Sequence, residues 1–358
     1  MIKTVCTGIV FLLSASILFA QKDNIKKNTV ELSIRVEVPE LHELFFVIYA
    51  ITDLGIKDSL LIDHRSGYYQ RVIGHFGKFK NEKAVKTIGK KMPRYYNQIR
   101  MDAANYSFDT ENNIVKGTKI HNISWGNTDY VAPFLHDLSQ FCLVSEFRSF
   151  YKQNAAYYDT LSNLMHSQGA IDSQYNWLEK NFPSKYSQYR IVFSPLSYGY
   201  HATNRHADEL VIFVSSPTQH SNLSATLLEA RDTRMLFTEI NHNYVNPVSD
   251  LYLKEINLAF KNRKKWTGGK FSDGYSSPYS VFNEYMTWSV FLLYALDRFP
   301  TADFSTIKKN LEQFMIDYRG FIHFIWFNEQ LLELYEKKKP GMLVSDLFPV
   351  MLDLCKNQ

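Results

Sequence analysis

Residues 238–242 read Thr-Glu-Ile-Asn-His and follow an apolar segment. On a helix, Thr238 and His242 share a face, and Glu239 lies beside them. Zinc peptidases use two histidines at this spacing as metal ligands, and the glutamate after the first histidine polarises the zinc-bound water. This chain keeps Glu239 and His242 but has Thr238 at the first ligand position. The motif therefore predicts a zinc-peptidase helix with one ligand missing, and Glu239 as the candidate catalytic base.

Glu284 is the candidate for a further metal ligand, because one class of zinc peptidases takes its third ligand from a glutamate on a later helix. Residues 283–288 read Asn-Glu-Tyr-Met-Thr-Trp and begin an apolar helical pattern. Between His242 and Glu284 lies a glycine-rich segment, residues 266–274, of the kind that borders clefts.

Thr238 decides how strongly zinc could be held. A hydroxyl is a poor zinc ligand beside imidazole, and losing one ligand, at roughly 3 kcal/mol each, weakens zinc by about two orders of magnitude. His201 or His206 could supply a substitute ligand from across the cleft. The sequence therefore leaves open a weakened zinc hydrolase, or a pseudopeptidase that binds a peptide or a cell-envelope protein without cleaving it.

The surrounding pattern predicts an α+β fold, with a small sheet and a predominantly helical C-terminal half. Residues 29–38 alternate as a half-buried strand, and residues 40–54 have helical spacing, with Gly55 as the cap. Residues 190–193 and 209–214 are further strand candidates, separated by a polar stretch, residues 198–208. Helical patterns also cover residues 68–90, residues 129–182 and the chain from about residue 227 onward.

The chain resembles an uncharacterised bacterial family of secreted proteins, a domain of unknown function that is zincin-like in its C-terminal half. Four segments carry the resemblance: residues 39–41, 50–55, 75–80 and 242–247. Family members usually have a complete HExxH motif, followed by the Asn-Pro that this chain has at its residues 246–247. The resemblance implies a metallopeptidase-like fold with a strand lining the cleft, for which residues 209–214 are the candidate.

The first 20 residues read as a secretory signal peptide. Lys3 precedes an apolar run from Ile9 to Phe19, and Ala20 is a small residue at a cleavage position. The run is too short for a comfortable membrane span, and no second one follows. We therefore expect export to the periplasm or the medium. The mature chain would be one zincin-like unit, residues 21–358, with a strand and helix part to about residue 185 and a metal-helix part from about residue 186.

Composition excludes several classes of protein. With 45% hydrophobic and 21% charged residues, the chain is neither disordered nor a coiled coil. A net charge of +4, with 40 basic and 36 acidic residues, does not favour a nucleic-acid partner. Two cysteines, Cys142 and Cys355, remain after signal removal and could form one disulfide or stay as buried thiols.

Simpler interpretations exist for each candidate. His242 could be a core histidine, Glu239 could pair with Arg231 or Arg234, and Glu284 could be an acid favoured by a helix N-terminus. A third class, a carbohydrate-active or carbohydrate-binding protein, would use exported carboxylates such as those of Asp159, Asp172 and Glu179 together with the many aromatic side chains.

The signal-peptide interpretation predicts a new N-terminus. Expressed with its own leader in an exporting bacterium, the protein should be recovered outside the cytoplasm and begin at Gln21, which N-terminal sequencing would detect. A variant lacking residues 2–20 serves as the control and should stay in the cytoplasm. Recovery of the full-length protein in the cytoplasm, beginning at Met1, would contradict the interpretation.

Overall fold

Helices dominate the chain, and the longest strands form a small mixed sheet, so the α+β class is confirmed. The computed structural model describes residues 32–117, 123–124, 126, 128–219, 222–269 and 271–358. Leu32–Gln358 groups into one unit by its internal contacts. The expected signal peptide, residues 1–20, lies outside the described residues.

Within the described ranges there are six strands in two sheets: β1 Ser33–Glu37, β2 Tyr106–Phe108, β3 Ile114–Lys116, β4 Gln188–Val192, β5 Ala202–His206 and β6 Glu209–Phe213. The larger sheet has the order β1-β4-β6-β5, in which β1, β4 and β6 are parallel and β5 is antiparallel to β6. Strands β2 and β3 pair as an antiparallel hairpin.

Thirteen α-helices are described: α1 Glu40–Ala50, α2 Gly67–Phe76, α3 Lys83–Ala103, α4 Leu135–Ser145, α5 Phe147–Gln153, α6 Ala155–Gln168, α7 Ile171–Asn181, α8 Ala225–Leu251, α9 Leu253–Ala259, α10 Pro278–Arg298, α11 Thr301–Gln313, α12 Phe324–Glu336 and α13 Phe348–Asn357. A π-helical turn, Phe314–Tyr318, follows α11. No helix among the described residues is long and apolar enough to cross a membrane.

Two expected helices differ from the structure. Helix α1 ends at Ala50 rather than at Leu54, because the Thr52 hydroxyl donates to the Tyr49 carbonyl oxygen and accepts from the Gly55 amide, which closes a turn. The helical pattern over residues 68–90 is divided between α2 and α3, with a 3-10 turn, Gly77–Phe79, between them.

Strand β5 is absent from the sequence prediction, which has residues 198–208 as a polar stretch. It is one of the two edge strands of the sheet, and its Thr203, Asn204 and Arg205 are partly or fully exposed, which is why a polar sequence is tolerated there. Strand β6, which the resemblance implies lines the cleft, lies between β4 and β5. Its role as the cleft strand stays a prediction.

Helices α8 and α10 pack against each other in opposite directions. Tyr279 near the start of α10 donates to Asp250 near the end of α8 at 2.7 Å, and Arg298 at the end of α10 pairs with Glu229 near the start of α8 at 2.6 Å. Between these ends, the Asn241 side chain donates to the Thr287 carbonyl oxygen. The facing side chains in the middle of the two helices are thereby held in a fixed register.

Cys142 and Cys355, the two cysteines among the described residues, are buried free thiols. Burial raises the pKa of the Cys142 thiol to about 12, so this side chain behaves as a small apolar group.

Helix α1 has a buried carboxyl group at Glu43, which is 0% exposed. Its Oε1 accepts a 2.8 Å hydrogen bond from the Tyr68 hydroxyl, and that hydroxyl lies 2.7 Å from the hydroxyl of Tyr158. Burial raises the pKa of Glu43 to about 8, against the opposing effect of the hydrogen bonds. The folded protein therefore holds a proton on Glu43 that the unfolded chain releases near pH 4.5.

This buried acid predicts a pH-dependent stability. Because the pKa of Glu43 is raised on folding, its stabilising effect is complete below pH 4.5 and is lost as the pH rises through about 8. Between pH 5 and pH 9, the unmodified protein should therefore lose unfolding free energy. In Glu43→Gln, this loss should be smaller by roughly 2–4 kcal/mol. Urea unfolding of both proteins across this range measures the difference, and parallel pH profiles would contradict the assignment.

Candidate functional site

Helices α8 and α10 bring His242 and Glu284 together. The Nε2 atom of His242 lies 3.4 Å from Oε1 of Glu284, and its Nδ1 atom lies 3.3 Å from the Thr287 hydroxyl. The His242 side chain keeps 18% of its surface exposed, and that of Glu284 keeps 8%. The His242 ring is therefore held on both nitrogen atoms by α10 while one side of it remains accessible.

Thr238 does not point its hydroxyl towards this pair. Its Oγ1 donates to the carbonyl oxygens of Arg234, at 3.1 Å, and Met235, at 3.4 Å, within its own helix. Threonine commonly makes this bond in helix interiors, because the preceding turn leaves a carbonyl oxygen within reach. The residue at the missing-ligand position is therefore satisfied by the backbone of α8.

Glu284 has a second partner, the guanidinium group of Arg319. The Nη2 atom of Arg319 lies 2.9 Å from Oε2 of Glu284, and the same oxygen accepts a 3.0 Å hydrogen bond from the Trp288 indole. Arg319 also donates to the hydroxyl of Tyr275. Both side chains of the ion pair are largely buried, at 13% and 8% exposed, so the pair is poorly screened by solvent.

The backbone around Arg319 explains how it reaches the carboxylate. Arg319 directly follows the π-helical turn, and Gly320 has a φ of +78° that suits glycine. A side chain at Gly320 would come within 2.7 Å of the Gly269 amide nitrogen, and the Gly268 amide donates to the Gly320 carbonyl at 2.8 Å. The glycine-rich segment predicted to border the cleft thus anchors the turn that presents Arg319.

Glu239 lies among charges of both signs. Burial raises the pKa of Glu239 to about 7; the neighbouring His242, Arg100 and Arg319 side chains oppose this rise, and the negative charge of Glu284 adds to it. In the part of the chain that the structure describes, Glu239 forms no ion pair with Arg231 or Arg234. The simpler interpretation, in which Glu239 pairs with one of these arginines, is therefore not observed.

Neither substitute histidine completes a metal site. The Nε2 atom of His201 lies 2.9 Å from the Ser215 hydroxyl, and burial, aided by Arg100, Arg234 and Arg319, lowers the pKa of His201 to about 3. Three cations close enough to depress a histidine pKa would also repel a metal ion. His206 lies at the other end of β5, about 16 Å further along the strand at roughly 3.3 Å per residue.

The donor set does not fit a catalytic zinc ion with three protein ligands. His242 and Glu284 provide two donors, Thr238 uses its hydroxyl within its helix, and Glu284 already neutralises Arg319. Among the described residues, no group of three or more His, Cys, Asp or Glu side chains is placed to hold a metal ion.

Other carboxylates from the sequence analysis have structural partners or lie on the surface. Glu284 lies beyond the first turn of α10, so the helix N-terminus does not explain it. Glu179 accepts hydrogen bonds from the Tyr244 hydroxyl and the Tyr186 amide, Asp172 pairs with His166, and Asp159 is exposed. A cavity of about 640 Å³ lies elsewhere, along β1 and β4, with Arg35 and Arg190 in its wall.

The charged cluster around His242, Glu239 and Glu284 includes several residues that the sequence motif does not indicate. Arg319 comes from a turn far along the chain, Arg100 from α3, and Tyr275 from the loop before α10. Trp288 lies one helical turn after Glu284, and Arg234 lies one turn before Thr238. Helical spacing counted from Glu284 and Thr238 therefore indicates Trp288 and Arg234 from the sequence.

No family model, curated protein or solved structure matches the chain. The zincin-like interpretation therefore depends on the residues alone.

The ion pair between Arg319 and Glu284 predicts a measurable stability effect. Arg319→Gln should lower the free energy of unfolding by about 2–4 kcal/mol, because it leaves a buried carboxylate without its partner. The double variant Arg319→Gln/Glu284→Gln should recover most of this loss, since no lone buried charge remains. Chemical denaturation at pH 7 measures both.

The pair between Arg298 and Glu229 serves as the matched control on the same two helices. Its side chains are 42% and 29% exposed, so Arg298→Gln should cost less than about 1 kcal/mol. An equal loss of unfolding free energy in Arg298→Gln and Arg319→Gln would contradict the prediction that the buried ion pair is the more stabilising of the two.

Proposed function

We propose that this is an exported, metallopeptidase-like protein that binds a peptide beside α8 and α10 without zinc-dependent hydrolysis. The observation that supports the proposal is the guanidinium group of Arg319, 2.9 Å from the carboxylate of Glu284. A zincin would require this carboxylate as a metal ligand. Arg319 supplies the positive charge there instead.

Electrostatics favours Arg319 over a metal ion at this position. A zinc ion bound to Glu284 would lie within a few ångströms of a fixed guanidinium group, with little water between them to screen the repulsion. Among the described residues, His242 would be the one candidate ligand that makes no contact with a cationic side chain. This proposed loss of zinc affinity agrees with the threonine at position 238.

The position of β5 supports peptide binding. This strand is the edge strand of the sheet nearest α8, and its Thr203 hydroxyl accepts a 2.8 Å hydrogen bond from the Asn243 side chain of α8, one residue after His242. An extended peptide can add a strand to such an edge, with backbone hydrogen bonds supplying affinity and side-chain pockets supplying specificity. The peptide would then pass close to the charged cluster.

A weakened zinc hydrolase is the second candidate. The 3.4 Å between Nε2 of His242 and Oε1 of Glu284 is close to the separation of about 3.3 Å between two ligands of one tetrahedral zinc ion. In addition, a pKa of about 7 would suit Glu239 as a general base at neutral pH. In this alternative, Arg319 would have to leave Glu284.

The two candidates differ in metal content and in chemistry. We expect the purified protein to contain substoichiometric zinc by elemental analysis, and to bind peptide equally well with and without a chelator in calorimetry. Thr238→His should gain little zinc because Arg319 still neutralises Glu284, whereas Thr238→His/Arg319→Gln should gain more.

Zinc analysis and hydrolysis assays together test the alternative, a weakened zinc hydrolase. Stoichiometric zinc in the unmodified protein, together with cleavage of a peptide library that Glu239→Gln abolishes, would overturn the proposal and support the hydrolase. Circular dichroism of each variant serves as the folding control.

A further inference from the structure

Arg234 carries a charge that the described protein does not neutralise by contact. It lies on α8 one turn before Thr238, on the same face as His242. Its guanidinium carbon lies 5.8 Å from the ring centre of Trp288 and 5.3 Å from that of Phe314. Among the described residues, its side chain makes no hydrogen bond and no ion pair.

The nearest carboxylate on the same helix is already used. Asp232 accepts hydrogen bonds from the amide and hydroxyl groups of Thr218, at 3.2 and 2.9 Å. Arg234 is partly buried, and burial, together with the charges of Arg231 and Arg319, lowers its pKa to about 10. The guanidinium group is therefore still charged at neutral pH, and its hydrogen-bond donors are available to a ligand.

The wider cluster has an excess of positive charge. Arg319 stacks on the same indole as Arg234, with its guanidinium carbon 4.6 Å from the ring centre of Trp288. Arg100, which is 1% exposed, donates to Asn97 and to the Tyr200 carbonyl oxygen, and makes no ion pair among the described residues. Arg231 and Asp232 act on Arg234 with opposite charges that offset each other, which leaves the three guanidinium groups beside two carboxylates, those of Glu239 and Glu284.

A carboxylate is the anion that suits this arrangement. One negative charge balances the excess when Glu239 is ionised, whereas a phosphate dianion would exceed it and be repelled by the two glutamates. A planar carboxylate also matches the guanidinium fork, which can donate two parallel hydrogen bonds to it. Trp288, which contacts both Arg234 and Arg319, would form an apolar wall beside the bound group.

We propose that Arg234 is the carboxylate-binding residue of the peptide site beside α8 and α10, and that its ligand is a carboxylate group of a bound peptide. The group is either the C-terminal carboxylate or an Asp or Glu side chain. This inference rests on the proposed peptide-binding function. It goes beyond that function by assigning an acidic group to the peptide and a position for that group next to Trp288.

Calorimetry with matched peptides tests the assignment. The probes are N-acetylated tetra-alanine with a free C-terminus, the same peptide as its amide, and an amide peptide with one glutamate. The proteins are the unmodified chain, Arg234→Gln, Arg234→Lys and the control Arg231→Gln, which removes an exposed arginine from the same helix. Acetate and inorganic phosphate serve as competitors.

We expect at least one carboxylate peptide to bind more tightly than the plain amide. Arg234→Gln should weaken that peptide by about 10–100-fold, the loss typical of a charge-assisted hydrogen-bonded pair, and Arg234→Lys should weaken it less. Arg231→Gln should bind as the unmodified protein does. A preference for the free acid identifies the C-terminus, and a preference for the glutamyl amide identifies a side chain.

Four results separate this inference from the proposed function. Equal binding of acid and amide peptides, or unchanged binding by Arg234→Gln, overturns the carboxylate assignment and leaves the peptide cleft in place. Competition by phosphate but not by acetate also overturns it. Binding of acetate that depends on Arg234, without binding of any peptide, retains the carboxylate site and overturns the peptide function.

Discussion

Charges removed from water must be balanced locally, and this constraint governs the interface of α8 and α10. Glu284 and Arg319 satisfy it with a direct ion pair. Glu239 satisfies it in part by holding a proton near neutral pH, since burial raises its pKa to about 7. Arg234 is left without a partner among the described residues. The same balance thus favours an arginine where a peptidase would have a metal ion, and favours an anionic ligand beside it.

The rest of the fold holds these charges in place. The contact between Tyr279 and Asp250 and the ion pair between Arg298 and Glu229 tie the two helices at opposite ends, so the middle of their interface cannot slide. The positive charge beside Glu284 comes from a loop residue, Arg319. The close approach of Gly269 and Gly320 fixes the turn before α12 that carries it. A rigid two-helix frame with an arginine delivered from a loop is a general way to position a charge precisely.

Local patterns predicted much of the fold. Residues 238–242 lie on α8 as expected, and Glu284 lies on the expected later helix, because helical spacing is a property of neighbouring residues. Strand β5 was missed because its polar side chains at the sheet edge resemble a loop. Arg319 was missed for a different reason: a lone arginine after an irregular turn has no periodicity, and only tertiary structure shows which carboxylate it meets. The motif at residues 238–242 predicts a zinc-peptidase helix without its first ligand, and nothing in that motif indicates Arg319.

The π-helical turn at Phe314–Tyr318 makes the position of Arg319 depend on chain length. Such a turn contains one residue more than the α-helical path it replaces. Deleting any one of these five residues would let the segment wind regularly and would rotate Arg319 by about 100° around the helix axis, away from Glu284. The contact between Arg319 and Glu284 therefore depends on the number of residues in this turn as well as on their identity.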